Sequence, residues 1–235
     1  IHDDASTDGT TDLVLAYANK YPTIIRTIVQ AVNQYSQDIR CGMIVVNEAE
    51  ADLISVCDGD DYWTDVHKLA YQVEEIRLEP EVNICFHPAR VKYEGGGGKW
   101  LNSGYGYYGD KKKIINCSEV ILKAGGFMPM ASIMIRKRVV DDIRKKDASF
   151  LMRNMTHFFY QTIGAYHGGA LYLPKEMSVY RSMHEGSWSY KMEADINFKI
   201  NGVNNYIESI LKANKITNNT YEKEFNEVIE RRVYS

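Results

Sequence analysis

The segment Asp58-Gly59-Asp60-Asp61-Tyr62-Trp63 follows the apolar run Asp52-Leu53-Ile54-Ser55-Val56-Cys57, and this junction constrains the fold more than any other stretch. A short apolar run of this kind reads as a buried strand, so three carboxylates at its end are delivered to the edge of a sheet. Unpaired acids that close repel one another, and a positive group belongs between them. A hard divalent cation fits, held by one or two carboxylates and otherwise by phosphate oxygens and water. The pattern therefore points to chemistry on a diphosphate. The competing reading is that these acids cap the following helix, but Asp65 already suits that role.

A second acidic cluster opens the chain, in Ile1-His2-Asp3-Asp4-Ala5-Ser6-Thr7-Asp8-Gly9-Thr10. Its pattern predicts a strand end, a turn at Asp8-Gly9 and a helix starting near Thr10 or Thr11. Ligands of open α/β sheets bind at the carboxyl ends of strands, where both acidic clusters fall. Ser6, Asp8 and Gly9 are accounted for by turn chemistry alone.

Strand-like and helix-like segments alternate along the chain. Strands are expected at 23–29, 52–58, 82–93, 130–136 and 170–180. Helices are expected at 39–47, 65–78, 117–124, 138–146 and 155–166, with two more at 191–214 and 219–231 closing the chain. This alternation predicts an α/β fold with a mostly parallel central sheet. We divide it into a catalytic domain over 1–190 and a helical appendage over 191–235. The tetraglycine Gly95–Gly98 has no Gly-Lys-Ser/Thr after it and reads as a surface loop.

The 235 residues are 45% hydrophobic and 25% charged, ordinary for a globular chain with a single substantial core. The net charge of −3 gives no reason to expect nucleic acid as a partner. Four cysteines lack metal-type spacing, and Cys57 and Cys85 fall in expected buried strands. Free thiols in a reducing cytoplasm follow from that.

The motifs D-D-x-S-x-D-G-T at the start, D-G-D-D-Y-W after a later strand, and V-Y-R-x-x-H-x-G-x-W-S from Val179 to Ser189 resemble the family 2 glycosyltransferases of GT-A fold. The resemblance runs in order over residues 1–190. It implies transfer of a sugar, with inversion, from a nucleotide-diphosphate donor (UDP- or dTDP-linked) to a saccharide or lipid-linked acceptor in surface polysaccharide synthesis. The cofactor implied is Mn2+ or Mg2+. Members usually begin with a further strand and helix, so the natural protein is expected to be longer. The expected location is cytoplasmic, at the inner face of the membrane where the acceptor is lipid-linked. The C-terminal helices, with a stripe of Phe198, Ile200, Val203, Tyr206 and Ile210, would pack on the domain, a second copy or a membrane surface.

Residue by residue, the resemblance makes Asp58 and Asp60 the D-x-D pair, with Asp60 the direct metal ligand and Asp58 shared between metal and nucleotide. Asp61 would contact the donor sugar or a metal-bound water. Asp3 and Asp4 fall where relatives read the base; a carboxylate accepts the imide N–H of a pyrimidine, although turn chemistry is open for Asp3. Arg181 would face the pyrophosphate, and His184 the phosphate or the metal. Inverting relatives carry an acidic base before the last strand, a position that falls here on His157. A histidine suits that task near neutrality, or it is an inert residue behind an Asn154 or Thr156 cap, leaving Asp147 as the nearest acid upstream. The alternative function is a catalytically weak sugar-nucleotide-binding module acting as an assembly partner. His87 and the segment Pro129-Met130-Ala131-Ser132 are expected to be structural.

Overall fold

The computed structural model describes residues 1–95, 98–101 and 104–233. Gly96 and Gly97 of the tetraglycine lie outside the described residues, as does the Asn154 side chain. In chain order the elements are β1 (His2–Asp3), α1 (Thr10–Lys20), β2 (Ile28–Val29), α2 (Cys41–Glu48), β3 (Leu53–Ser55), β4 (Tyr62–Trp63) and α3 (Lys68–Arg77). Next come β5 (Ile84–Phe86), β6 (Ala89–Tyr93), β7 (Lys99–Trp100), β8 (Lys113–Ile115), α4 (Cys117–Leu122) and β9 (Met134–Arg136). Then follow α5 (Lys137–Lys146), α6 (Ala148–Asn154), α7 (His157–Ala165), β10 (Ala170–Tyr172), β11 (Ser178–Ser182), α8 (Trp188–Ala194), α9 (Ile196–Ile216) and α10 (Glu222–Val233). The α/β chain forms two compact units, Ile1–Ala51 with Asp142–Met155, and Asp52–Asp141 with Thr156–Ser235.

In the first unit β1 and β2 pair in parallel, His2 opposite Ile28 and Asp3 opposite Val29. Only the end of the β-branched run 23–29 is strand. Ile24 and Ile25 instead donate their N–H groups to the Tyr21 carbonyl and close the turn after α1. β propensity needs a ladder partner, and two-residue β1 supplies a short one. Gly9 opens α1 at φ +89°, a conformation that glycine tolerates without a Cβ penalty. Helix α6, which periodicity missed, is capped by Asp147 accepting from the Phe150 N–H at 3.1 Å. It holds α2 through Arg40, whose N–H and Nε donate to the carbonyls of Met152 and Arg153 at 2.7 and 2.9 Å.

The second unit holds a five-stranded sheet, order β3-β9-β5-β10-β8, and a four-stranded one, order β4-β11-β6-β7. The sheets are mixed where mostly parallel pairing was expected. β9 runs antiparallel to both β3 and β5, β8 is antiparallel to β10, and the parallel pairs are β5 with β10 and β6 with β11. Two expected strands each break in two. Residues 82–93 divide at His87-Pro88, and 170–180 divide around Pro174, so that each continues from the first sheet into the second. Proline lacks the N–H a ladder needs. The expected strand 130–136 begins instead as a 3-10 turn, Met130–Ser132.

The core of this unit gathers Ile76, Val82, Cys85, Met134, Leu171 and Leu173. Helix α7 lies close against its sheet because Gly164 has no side chain: a Cβ there would sit 2.8 Å from Ile84 Cδ1. The C-terminal segment forms three helices, since Asp195 caps α9 by accepting from the N–H groups of Asn197 and Phe198. Tyr206 packs edge-on against Phe158 of α7, and Tyr206 and Ile210 are buried. Ile200 is 51% exposed, out of phase with that stripe. Among the described residues no helix is long and apolar enough to cross a membrane.

Candidate functional site

The acidic loop runs from the end of β3 to the start of β4, within the second unit. The Asp61 N–H donates to the Asp58 carbonyl at 3.0 Å, which tightens the loop into a turn. Ligand oxygens of Asp58, Asp60 and Asp61 lie within 4.8 Å of one another. None of the three caps α3; Asp65 serves the turn before it, accepting from the His67 N–H at 2.7 Å and pairing with Lys175. Cys57 is exposed, a correction to its expected burial, because β3 ends two residues earlier at Ser55.

The second sheet delivers the third motif to this loop. β11 runs antiparallel to β4, with Val179 opposite Tyr62. The Arg181 N–H then donates to Asp61 Oδ1 at 2.9 Å. Beyond the strand, Met183 takes the left-handed conformation at φ 59°, uncommon for a residue with a long side chain. The chain turns there, and His184 Nε2 comes to 2.9 Å from Asp60 Oδ2. Of the predicted metal residues, Asp58 and Asp60 group with Asp61, and His184 meets that group at Asp60.

Arg181 is held by a carboxylate of the same sheet. Its guanidinium is not a free cation but forks onto Glu94, with Nε and Nη2 donating to the two carboxylate oxygens at 2.9 Å each. Nη1 reaches the Asp60 carbonyl at 3.3 Å. The Arg181 hydrogen bond, with Lys92 assisting, holds Glu94 down at about 2. Arg181 therefore braces the acidic loop through its backbone and side chain together. Sequence reasoning missed Glu94. It reaches Arg181 because β6 lies parallel to β11, with Lys92 opposite Arg181.

Burial pushes Asp61 up to about 7; the Arg181 N–H opposes this, and the charges of Asp60 and Asp58 add to it. Asp58 is also raised, by crowding from surrounding protein, with His157 opposing and Asp60 adding. A free aspartate ionises near 3.8. The metal-free folded chain thus keeps a proton on Asp61 from about pH 4 to pH 7 that the unfolded chain has released. The contribution of Asp61 to stability falls as pH rises through that window and is level above it. Asp61→Asn keeps the oxygen that accepts from Arg181 and removes the ionisation. The metal-free variant is expected to match wild type at pH 4 and exceed it at pH 8 by on the order of 1 kcal/mol, below the full linkage value because the cluster meets water. Thermal melts at the two pH values check this, and equal shifts at both would refute it.

His157 is the exposed first residue of α7, behind Thr156, whose hydroxyl caps the helix by accepting from the Phe159 N–H at 3.2 Å. It lies within electrostatic reach of Asp58 and lowers that group's pKa. Asp147 belongs to the first unit, where it caps α6.

In the first unit Asp3 is 3% exposed and accepts from Thr11 Oγ1 at 2.6 Å. The Ser6 hydroxyl, then Thr11, hold its carboxyl below the usual range. Asp4 accepts from the N–H groups of Gln34 and Tyr35 at 2.7 and 3.0 Å and from Cys41 Sγ at 3.2 Å. Burial would raise Asp4, but these donors outweigh it and leave it lowered. Asp4 lies with His2 and Cys41 in a mixed donor group. Burial pushes the Cys41 thiol up to about 11, so it donates to Asp4 and pins α2 to the loop. A carboxylate offers about four lone-pair sites, and three are in use.

His87 is fully buried, and its Nδ1 lies 2.9 Å from the Pro88 carbonyl. Ser132 is buried too, its hydroxyl donating to the Pro129 carbonyl at 2.6 Å. Both are packed as the sequence suggests.

A family model described as Glycosyl transferase family 2 matches residues 1–144. The uncharacterized protein Rv1520 of Mycobacterium tuberculosis (strain ATCC 25618 / H37Rv) is 32% identical over 193 residues, 80% of this chain and 51% of that protein. Mb1547 of Mycobacterium bovis matches to the same extent. The chain spans about half the length of the curated relatives it matches. Among solved structures, S. aureus TarS 1-349 in complex with UDP-GlcNAc aligns over 99% of this chain and 61% of its own, with TM-score 0.63 and 14% identity. The mannosyltransferase PcManGT from Pyrobaculum calidifontis, in complex with GDP-Man and Mn2+, aligns over 91% and 54%, with TM-score 0.53 and 12% identity. At these identities the likeness is one of fold, and it agrees with the GT-A architecture expected from the motifs.

Proposed function

The chain belongs to glycosyl transferase family 2, and from that premise we propose that it is a metal-dependent inverting glycosyltransferase. Its donor would be a UDP- or dTDP-sugar and its acceptor a saccharide or lipid-linked hydroxyl, in surface polysaccharide synthesis. The observation that carries the reading is the group of three carboxylates with His184 Nε2 2.9 Å from Asp60. Crowded carboxylate oxygens suit a hard divalent cation, and an added imidazole nitrogen is tolerated better by Mn2+ than by Mg2+. The complexes of the two solved neighbours, with UDP-GlcNAc and with GDP-Man and Mn2+, support such a donor and cofactor.

Asp60, Asp58 and His184 would hold the ion, and Asp61 would orient the donor sugar. When bound, the ion supplies positive charge against the leaving diphosphate. His157 takes the proton of the acceptor hydroxyl as its oxygen bonds to the anomeric carbon. The bond from that carbon to the diphosphate breaks on the opposite face, and its electron pair leaves with the nucleotide. Arg181, neutralised by Glu94, keeps the loop in shape. In the first unit, Asp4 retains a lone-pair site for a pyrimidine imide N–H, while Asp3 shapes the loop. We retain 1–190 as catalytic and 191–235 as appendage.

The test is calorimetric titration of the intact protein with UDP, with and without Mn2+. Binding that requires Mn2+ is expected; equal binding in its absence would remove the metal from the reading. A binding module without turnover is the second reading, favoured by a histidine where an acidic base was expected.

A further inference from the structure

Lys68, the first residue of α3, is 1% exposed, an unusual place for an ammonium group. Its partners are neutral. Nζ donates to Ser55 Oγ at 3.0 Å and Gln72 Oε1 at 2.7 Å, and stands 4.4 Å from the centre of the Trp63 ring. These partners are themselves tied to three successive carbonyls. Trp63 Nε1 donates to Ala131 at 2.8 Å, Gln72 Nε2 to Ser132 at 2.8 Å and Ser55 Oγ to Ile133 at 2.9 Å. Ser55 ends β3 and Trp63 ends β4, so one amine grips both flanks of the loop carrying Asp58, Asp60 and Asp61.

Burying a charge without a counter-charge is costly, and an apolar residue of similar size is often as good or better for stability. Burial lowers Lys68 to about 8, a sign of that cost. Stability therefore does not explain the lysine, whereas its contacts converge on the acidic loop. We propose that Lys68 is a positioning residue: by tying Ser55, Trp63 and segment 131–133 together, it fixes both ends of the acidic loop and sets its affinity for a divalent cation. This rests on the metal-site reading above.

The test uses the intact protein and Mn2+ alone, with binding read by the free-ion EPR signal and stability by metal-free melting. Lys68→Met is expected to melt at or above the wild-type temperature yet bind Mn2+ about 10-fold or more weakly, in the range seen when outer-shell supports are removed. Ser55→Ala and Trp63→Phe each remove one spoke and are expected to weaken Mn2+ binding several-fold, which decides the matter should Lys68→Met not fold. Wild-type Mn2+ affinity in the folded variants would overturn the proposal, as would a loss that merely tracks lowered melting temperature. Asp60→Ala, measured alongside, separates the two readings. If it loses Mn2+ while Lys68→Met does not, only the role of Lys68 falls. If Asp60→Ala binds normally, the metal-site reading falls and takes this one with it.

Discussion

Asp60→Ala is expected to abolish Mn2+-dependent UDP binding and to lower sugar transfer roughly 10^3-fold or more. Asp60 is the residue on which the candidate centre turns. It lies within 4.8 Å of two other carboxylate ligands, meets His184 at 2.9 Å, and its carbonyl receives Arg181. Removing it takes away an anionic ligand and the partner that orients the imidazole, while its backbone contact survives. The fold should therefore persist, because Asp60 lies in a loop and supports no helix end. Calorimetry with UDP and Mn2+ reads the binding arm, and transfer from the donor reads the catalytic arm. Retained Mn2+-dependent binding would move the centre away from this loop. Lost transfer with intact binding would make Asp60 a catalytic group but not a ligand.

His157→Ala is the second large effect expected. A general base contributes typically 10^2–10^4-fold, so kcat is expected to fall at least about 100-fold with donor binding unchanged. The proposed role draws its support from the charge effect of His157 on Asp58. Thr156, not His157, performs the capping of α7, and His157 is exposed and acts electrostatically on Asp58. Because Thr156 supplies the cap of α7, loss of the His157 side chain should leave the helix in place, which melting of the variant checks. Steady-state kinetics with saturating donor separates the outcomes. A change in kcat of less than about threefold would make His157 a bystander, and undetectable transfer by wild type with intact UDP binding would favour the binding-module reading.

The candidate site was legible in part because its acids are local. Asp58, Asp60 and Asp61 share one turn directly after an apolar strand, so their grouping follows from chain connectivity and strand direction. Asp8-Gly9 and the start of α1 were legible for the same reason, since turn and cap chemistry acts over two or three residues. Residues joined only by sheet register were not. Arg181 and Glu94 are 87 positions apart, and nothing near either announces that they pair. The strand breaks at Pro88 and around Pro174 were visible as prolines. Their consequence, a parallel pair leaving one sheet and re-forming in another, depends on both breaks falling side by side.

The sequence by itself determined the α/β alternation, the acids at strand ends and the family, because periodicity, turn chemistry and motif spacing are carried by neighbouring residues. Tertiary structure alone decided that Arg181 braces the acidic loop, that His157 acts on Asp58, and that Lys68 is buried beneath the loop. Each depends on side chains from distant segments meeting at a distance of a few ångströms, and only sheet register and core packing set those distances.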